Sequence, residues 1–256
     1  MREILYGRQS VRECLRARRR HIHRLILAEG VGETGIVGEI LSLAAGLKLP
    51  LQRVARLQLD RIAEAHQGVA LEVADYPYVA VEAILGWARK REELPFILAL
   101  DHLQDPHNLG ALLRTAEVAG VHGAIIPGRR AVGVTPAVVS ASAGASEHLR
   151  VAQVTNLART LEALKPGGVW VVGLESVPDA RPYHQVDLNR SLVLVVGAEG
   201  QGLSRLVRET CDLLIRLPMR GQVGSLNASV AGGIALYAAL AARGFSSQQL
   251  EQTHKI

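Results

Sequence analysis

Val195-Val-Gly-Ala-Glu-Gly-Gln-Gly-Leu-Ser204 is the stretch on which the fold turns, because an apolar run, Leu192 to Val196, breaks there into glycines and one carboxylate. A short apolar run bounded by glycine reads as a buried strand, and the polar turn after it marks the strand's carboxyl end. Two further segments repeat the arrangement. Asp105-Pro-His-Asn-Leu-Gly-Ala-Leu-Leu-Arg-Thr-Ala-Glu117 follows the run Phe96 to Leu100, and Leu217-Pro-Met-Arg-Gly-Gln-Val-Gly-Ser-Leu-Asn-Ala-Ser229 follows Leu213 to Leu217. Open α/β sheets bind ligands at the carboxyl ends of their strands, so the three turns are candidate parts of a single site.

Working outward, strand-like runs at 96–100, 123–126, 169–174, 192–196 and 213–217 alternate with helical stretches. That alternation predicts an α/β domain with a mainly parallel sheet and helices on both faces. Upstream, Ser10 to Arg19 reads as a helix with Ser10 as N-cap and Glu13 completing a capping box. His23–Ala28 reads as a strand, 33–47 as an amphipathic helix, 49–55 as a strand, 58–65 as a helix and 69–74 as a strand. The organisation expected is a small α/β domain over 1–75, a connector over 76–94 containing the charge run Arg89-Lys-Arg-Glu-Glu93, and a larger domain over 95–256. Phe245 to Ile256 reads as a polar, frayed tail.

Composition narrows the class. With 48% hydrophobic and 21% charged residues the chain of 256 residues is globular rather than disordered or fibrous. Cys14 and Cys211 are far apart and in no metal-binding spacing, which excludes a disulfide framework and a zinc site and fits a reducing compartment. The longest apolar run, Val230 to Ala242, has 13 residues, short of the roughly 20 needed to cross a bilayer. A cytoplasmic protein with neither membrane nor metal is the expectation. The first 24 residues hold eight arginines against two glutamates, a patch suited to a phosphate backbone, or equally to a solvated helix face whose arginine stems cover apolar surface.

The glycines at 197, 200 and 202 run G-x-x-G-x-G late in the domain, whereas a dinucleotide site needs G-x-G-x-x-G after the first strand. A P-loop and a G-x-S-x-G nucleophile elbow are also missing, and His102 and His107 read as loop residues. What these glycines do fit is a ligand lying against bare backbone, with free N–H and C=O groups and no bulky Cβ in the way.

In order, spacing and content the three segments resemble the SpoU branch of the SPOUT methyltransferases, which move a methyl group from S-adenosylmethionine to a ribose 2′-hydroxyl of RNA. The resemblance extends to His66-Gln-Gly-Val69 and to Ser142-Ala-Gly-Ala145 with Glu147, features of the bacterial ribosomal-RNA branch. It implies a deep trefoil knot in the larger domain, a ribosomal-protein-like RNA-binding domain before it, and a homodimer. It also implies that Gly197, Leu217 and Leu226 hold the cofactor through their backbones, with Gly173, Leu174, Glu199, Gly200 and Met219 in the same pocket. The reacting centre maps to Asn108, Gly110, Arg114 and Thr115, with Glu199, Ser225 and Asn227 facing it. Arg114 is the principal candidate, as a base or as a holder of substrate phosphate, while an ion pair with Glu117 one turn on is its plain structural alternative. Glu199 is expected to be a buried carboxylate accepting hydrogen bonds from loop N–H groups or Arg114, and Asn227 the N-cap of the helix 228–242.

The function so implied is methylation of a guanosine in 23S ribosomal RNA. At Gly7-Arg-Gln-Ser-Val11 the chain departs from its relatives, which leaves substrate choice less defined than reaction type. Transfer RNA as substrate, and a non-catalytic RNA-binding factor, are the alternatives.

Overall fold

The computed structural model describes residues 2–63 and 65–244, so the tail expected over 245–256 lies outside the described residues. The chain divides into two compact units, one formed by residues up to Val79 with Asp105–Arg114 and Val132–Arg150, the other by Ala80–Gln104, Thr115–Ala131 and the chain from Val151.

The first unit carries β1 (Arg2–Tyr6), α1 (Arg8–Ala17), β2 (Ile22–Ala28), α2 (Ile36–Gly46), β3 (Leu51–Val54), α3 (Arg56–Asp60) and β4 (Val69–Ala74). Its four strands are ordered β1-β4-β2-β3, with β4 antiparallel to both neighbours and β2 parallel to β3. Central β4 is buried over five of its six residues, as a strand covered on both faces must be.

One local expectation fails here. Helix α1 starts at Arg8 with Gly7 as N-cap, and Ser10, expected to cap it, is a buried residue inside the helix. Its hydroxyl donates to the Val139 carbonyl at 3.4 Å, and no N-cap side chain accepts from the helix's own amides. The Ser-x-x-Glu pattern is local, and tertiary packing overrode it. Helix α3 is likewise shorter than the helix expected over 58–65 and starts two residues earlier.

The second unit is built on a seven-stranded sheet. Helix α4 (Val81–Lys90) occupies the middle of the expected connector, burying Ile84 and Ala88. Then follow β5 (Phe96–Leu100), α5 (Pro106–Val118), β6 (Gly123–Pro127), α6 (Pro136–Ala141), β7 (Val151–Val154), α7 (Leu157–Leu164), β8 (Trp170–Leu174), β9 (Arg181–Pro182), β10 (Leu192–Val196), α8 (Arg205–Thr210), β11 (Leu213–Arg216) and α9 (Ala228–Ala242). Of these, α6 and the first part of α5 belong to the first unit. Sheet order is β7-β6-β5-β10-β8-β11-β9, and every pairing is parallel. Strands β5 and β10 are buried at every residue, the continuous apolar pattern of a sheet with both faces covered.

Three strands escaped the sequence reading, β1 of the first unit and two here. β7 has four residues with one exposed, and β9 has two, too short for a period to register. The sequence also gave no hint that β10 would insert between β5 and β8, both of which precede it in the chain.

Candidate functional site

Because β10, β8 and β11 are adjacent and parallel, their carboxyl ends lie side by side, with Val196 opposite Leu174 and Leu174 opposite Ile215. The loops that leave those ends enclose a cavity of about 270 Å³. Leu174, Glu175 and Ser176 line it after β8, Gly197 to Gly202 after β10, and Leu217, Met219, Ser225 and Leu226 after β11. The wall therefore combines glycine backbone with leucine side chains, and Glu199 and Glu175 supply its carboxylates.

The glycine loop has its shape for steric reasons. A Cβ on Gly197 would fall 2.2 Å from the Gly202 carbonyl carbon, and the backbone pair Ala198–Gly202, which exchanges hydrogen bonds of 3.1 and 2.9 Å, closes the turn over that spot. Gly202 itself has φ of +65°, and a Cβ there would meet the Glu175 carboxylate at 2.3 Å. Only glycine satisfies both positions.

Two carboxylates hold the far side of this loop. The Leu203 N–H donates to Glu175 Oε2 at 2.7 Å, and the next amide, Ser204 N–H, donates to Asp101 Oδ2 at 2.6 Å. Asp101 follows β5, is 1% exposed, and its other oxygen meets His102 Nδ1. Sequence reasoning missed both carboxylates. The signal was there, since each is an acidic residue directly after an apolar strand run, where a charge is expensive unless partnered.

Residue by residue, Leu174, Gly197, Glu199, Gly200, Leu217, Met219, Ser225 and Leu226 share the cavity wall. Gly173 stands behind it, with the Leu203, Cys211 and Leu214 side chains so close that a Cβ would lie 2.7 to 2.8 Å from each. Asn227 is the N-cap of α9, its Oδ1 accepting from Ser229 N–H at 2.9 Å and Val230 N–H at 3.3 Å. The Asn227 amide also donates to Glu199 Oε2 at 3.3 Å. Glu199 departs from expectation: it lines the cavity but is exposed rather than buried. Burial of Cys211, packed against Gly173 behind the cavity, pushes its thiol up to about 12, so it is no nucleophile.

Asn108 and Arg114 belong to the first unit's part of α5, Asn108 buried and Arg114 exposed. Asp105 caps this helix, accepting from His107 N–H at 3.0 Å and Asn108 N–H at 3.4 Å. Gly110 lets α5 approach α6, where a Cβ would lie 2.5 Å from that of Ala141.

Among the described residues no group of three His, Cys, Asp or Glu side chains is placed to hold a metal ion, and no helix is long and apolar enough to cross a membrane. A parallel α/β unit with a glycine-walled cavity at the ends of three neighbouring strands has its ligand site where open α/β sheets place one. Residues 95–237 match the SpoU rRNA Methylase family, and residues 4–79 match the domain described as RNA 2′-O ribose methyltransferase substrate binding. The chain belongs to the SpoU methylase family and is an RNA methyltransferase. It is 46% identical, over 92% of its length and 94% of the relative's, to the YacO protein of Bacillus subtilis, named as a TrmH family tRNA/rRNA methyltransferase. In fold it is similar to the SpoU methyltransferase AviRb of Streptomyces viridochromogenes, solved in complex with AdoMet, with a TM-score of 0.78 at 22% identity over 98% of this chain and 91% of that one. A TrmH/SpoU tRNA modifying enzyme of A. aeolicus aligns with a TM-score of 0.53 at 27% identity, covering 68% of this chain and 94% of its own.

Proposed function

We propose that this RNA methyltransferase transfers the methyl group of S-adenosylmethionine to the ribose 2′-hydroxyl of a guanosine in 23S ribosomal RNA. The observation that carries the reading is the meeting of the loops after β8, β10 and β11 around one cavity. The match of residues 4–79 to a substrate-binding domain of RNA 2′-O ribose methyltransferases supports the acceptor group, and the AdoMet complex of AviRb supports the donor. S-adenosylmethionine supplies an electrophilic methyl on a sulfonium sulfur. The cavity suits it, with free backbone for hydrogen bonds to the adenosine and apolar faces at Leu174, Leu217 and Leu226 for the base.

In this reading the backbones of Gly197, Gly200, Leu217 and Leu226 hold the cofactor, Leu174 and Met219 flank it, and Gly173 provides the close packing behind it. A 2′-hydroxyl is a weak acid, so its proton must leave as the oxygen attacks, with acceptor and methyl held in line. Asn108 and Arg114 act on the target nucleotide. Arg114 grips the phosphate beside the ribose and steadies the developing alkoxide with its fork of N–H donors, while the hydroxyl's proton passes to solvent water as the methyl–sulfur bond breaks and the methyl–oxygen bond forms. Ser225 orients the acceptor, while Asn227 fixes Glu199 through the hydrogen bond between them. Arg114→Ala is expected to reduce methyl transfer by 10² to 10⁴ or more while leaving S-adenosylmethionine binding by calorimetry nearly intact; loss of cofactor binding instead overturns the assignment.

The enzyme is a cytoplasmic homodimer in this proposal, its active site completed by Arg114 across the interface, with the chain of the second unit knotted. Val230, Ile234 and Tyr237 lie exposed on one face of α9, 40 to 50% accessible, and a second copy covers them. Sedimentation at micromolar concentration tests this: a monomer there refutes the dimer. Transfer RNA is the second reading, favoured by the A. aeolicus neighbour described as a tRNA modifying enzyme and disfavoured by the substrate-binding domain that residues 4–79 match. Tritiated methyl incorporation into separate ribosomal and transfer RNA pools decides between them.

A further inference from the structure

Charge in the first unit is arranged differently from what its sequence suggests. Of the eight arginines in residues 1–24, six have partners elsewhere in the fold. Arg2 and Arg24 pair with Glu72, Arg12 and Arg16 with Glu13 and Glu39, and Arg20 with Glu3 and Glu147. Arg19 donates to the carbonyls of Glu147 and Pro77. Those six cannot all serve as phosphate ligands without abandoning a partner.

Arg8 is different. Its Nε donates to the Gln67 carbonyl at 3.2 Å, and among the described residues no carboxylate pairs with it. It lines a groove of about 480 Å³ together with Gln9, Ile36, Arg56 and Gln67, a wall with two guanidiniums, two amides and, among the described residues, no carboxylate. The groove is held open by a buried lock. Gln67 has φ of +54°, its Oε1 accepts the Arg8 N–H at 3.0 Å, and the next amide, Gly68 N–H, donates to Nδ1 of fully buried His66 at 2.8 Å. His66 Nε2 in turn meets Asp60 Oδ1 at 2.7 Å, fixing the turn against the end of α3.

We propose that this groove is a subsite for one unpaired nucleotide of the substrate RNA, with Arg8 and Arg56 on its phosphate and the Gln9 and Gln67 amides beside its sugar and base. Two cations with no carboxylate paired to them among the described residues select a polyanion, and amides and an isoleucine beside them suit an unstacked nucleotide better than a duplex backbone. The inference rests on the chain acting on RNA, not on which RNA it methylates.

The test is fluorescence anisotropy of fluorescein-labelled single-stranded fragments of ribosomal RNA, titrated with the full chain over a series of KCl concentrations. The variant Arg8→Gln/Arg56→Gln should bind roughly tenfold or more weakly at 0.1 M salt, and its slope of log affinity against log salt should be shallower by about 0.7, one single-strand phosphate contact. Arg12→Gln/Arg16→Gln, which removes two ion-paired arginines, should keep the wild-type slope. Thermal melting and calorimetric S-adenosylmethionine binding report that the first variant is folded and its cofactor cavity intact. In methylation assays its KM for RNA should rise while kcat holds. An unchanged slope in Arg8→Gln/Arg56→Gln overturns the subsite and leaves an acidic protein surface as the occupant of the groove. Because the binding arm needs no methyl transfer, failure of the 23S guanosine assignment is distinguishable from failure of this one.

Discussion

Both units bury carboxylates, yet the partners they give them are opposite. In the first, Glu147 is 1% exposed and receives two hydrogen bonds from the fully buried side chain of Arg20, at 3.0 and 2.8 Å. Glu3 and the Ala74 carbonyl take Arg20's remaining N–H at 2.6 and 3.3 Å, and its guanidinium lies 4.8 Å from the Tyr76 ring centre. In the second, Asp101 and Glu175 meet backbone amides and no cation takes part in those bonds. The difference follows from the task. An ion pair ties the segment around Glu147 to β1 and α1, where only cohesion is required. Two carboxylates on consecutive amides, Glu175 on Leu203 N–H and Asp101 on Ser204 N–H, fix the path of the loop beside the cavity through its backbone alone.

The largest expected effect breaks the first arrangement. Burial alone works against the Arg20 charge, but Glu147 and Glu3 outweigh it and raise its proton affinity above the ordinary arginine value. Arg20→Ala leaves Glu147 charged in an apolar interior, and removing one partner of a buried pair costs about 3 to 5 kcal/mol. A denaturant midpoint close to wild type would show that the pair contributes little cohesion. Second in size is Gly197→Ala, which sets a methyl group against the Gly202 backbone. Overpacking of this kind costs about 1 to 3 kcal/mol, and calorimetry should find cofactor binding lost; a variant binding normally would mean that the loop is freer than its contacts imply.

The smallest effect sharpens the comparison by pH. His122 is buried beside β5, its Nδ1 accepting from Phe96 N–H at 3.0 Å and its Nε2 meeting Glu93 Oε2 at 3.0 Å. Burial lowers its proton affinity even though Glu93 pulls the other way. The folded chain therefore prefers the neutral ring, and the unfolded chain binds the proton more readily. The resulting stability is fully present above the unfolded value of about 6.5 and is lost as pH falls from there through the folded value. His122→Gln should flatten the dependence of the unfolding midpoint on pH in that window, while wild type and variant agree in slope above it.

Much of the second unit was legible because its signals are one-dimensional. Each long apolar run ended in a polar or glycine-rich turn, and in a parallel sheet such turns fall on one edge, so Gly197, Leu217 and Leu226 converge wherever their strands are neighbours. The first unit was read less well. Ser10 and Glu13 match a capping box in sequence, but Ser10 points to Val139 while Glu13 takes Arg12, Arg16 and His148. Arginine abundance suggested a phosphate-binding face, and pairing with distant glutamates removed most of it from that role.

The sequence alone determined the alternation of strand and helix, the placing of glycine turns after strands, and the family, because these depend on residue order and on steric rules acting over a few neighbours. Tertiary structure decided which strands stand together, which carboxylates receive the loop amides, and which arginines keep an uncompensated charge. Those outcomes depend on contacts between residues up to a hundred or more positions apart, as between Asp101 and Ser204 or Arg20 and Glu147. No local pattern carries that information, since a buried charge finds its partner through space and not along the chain.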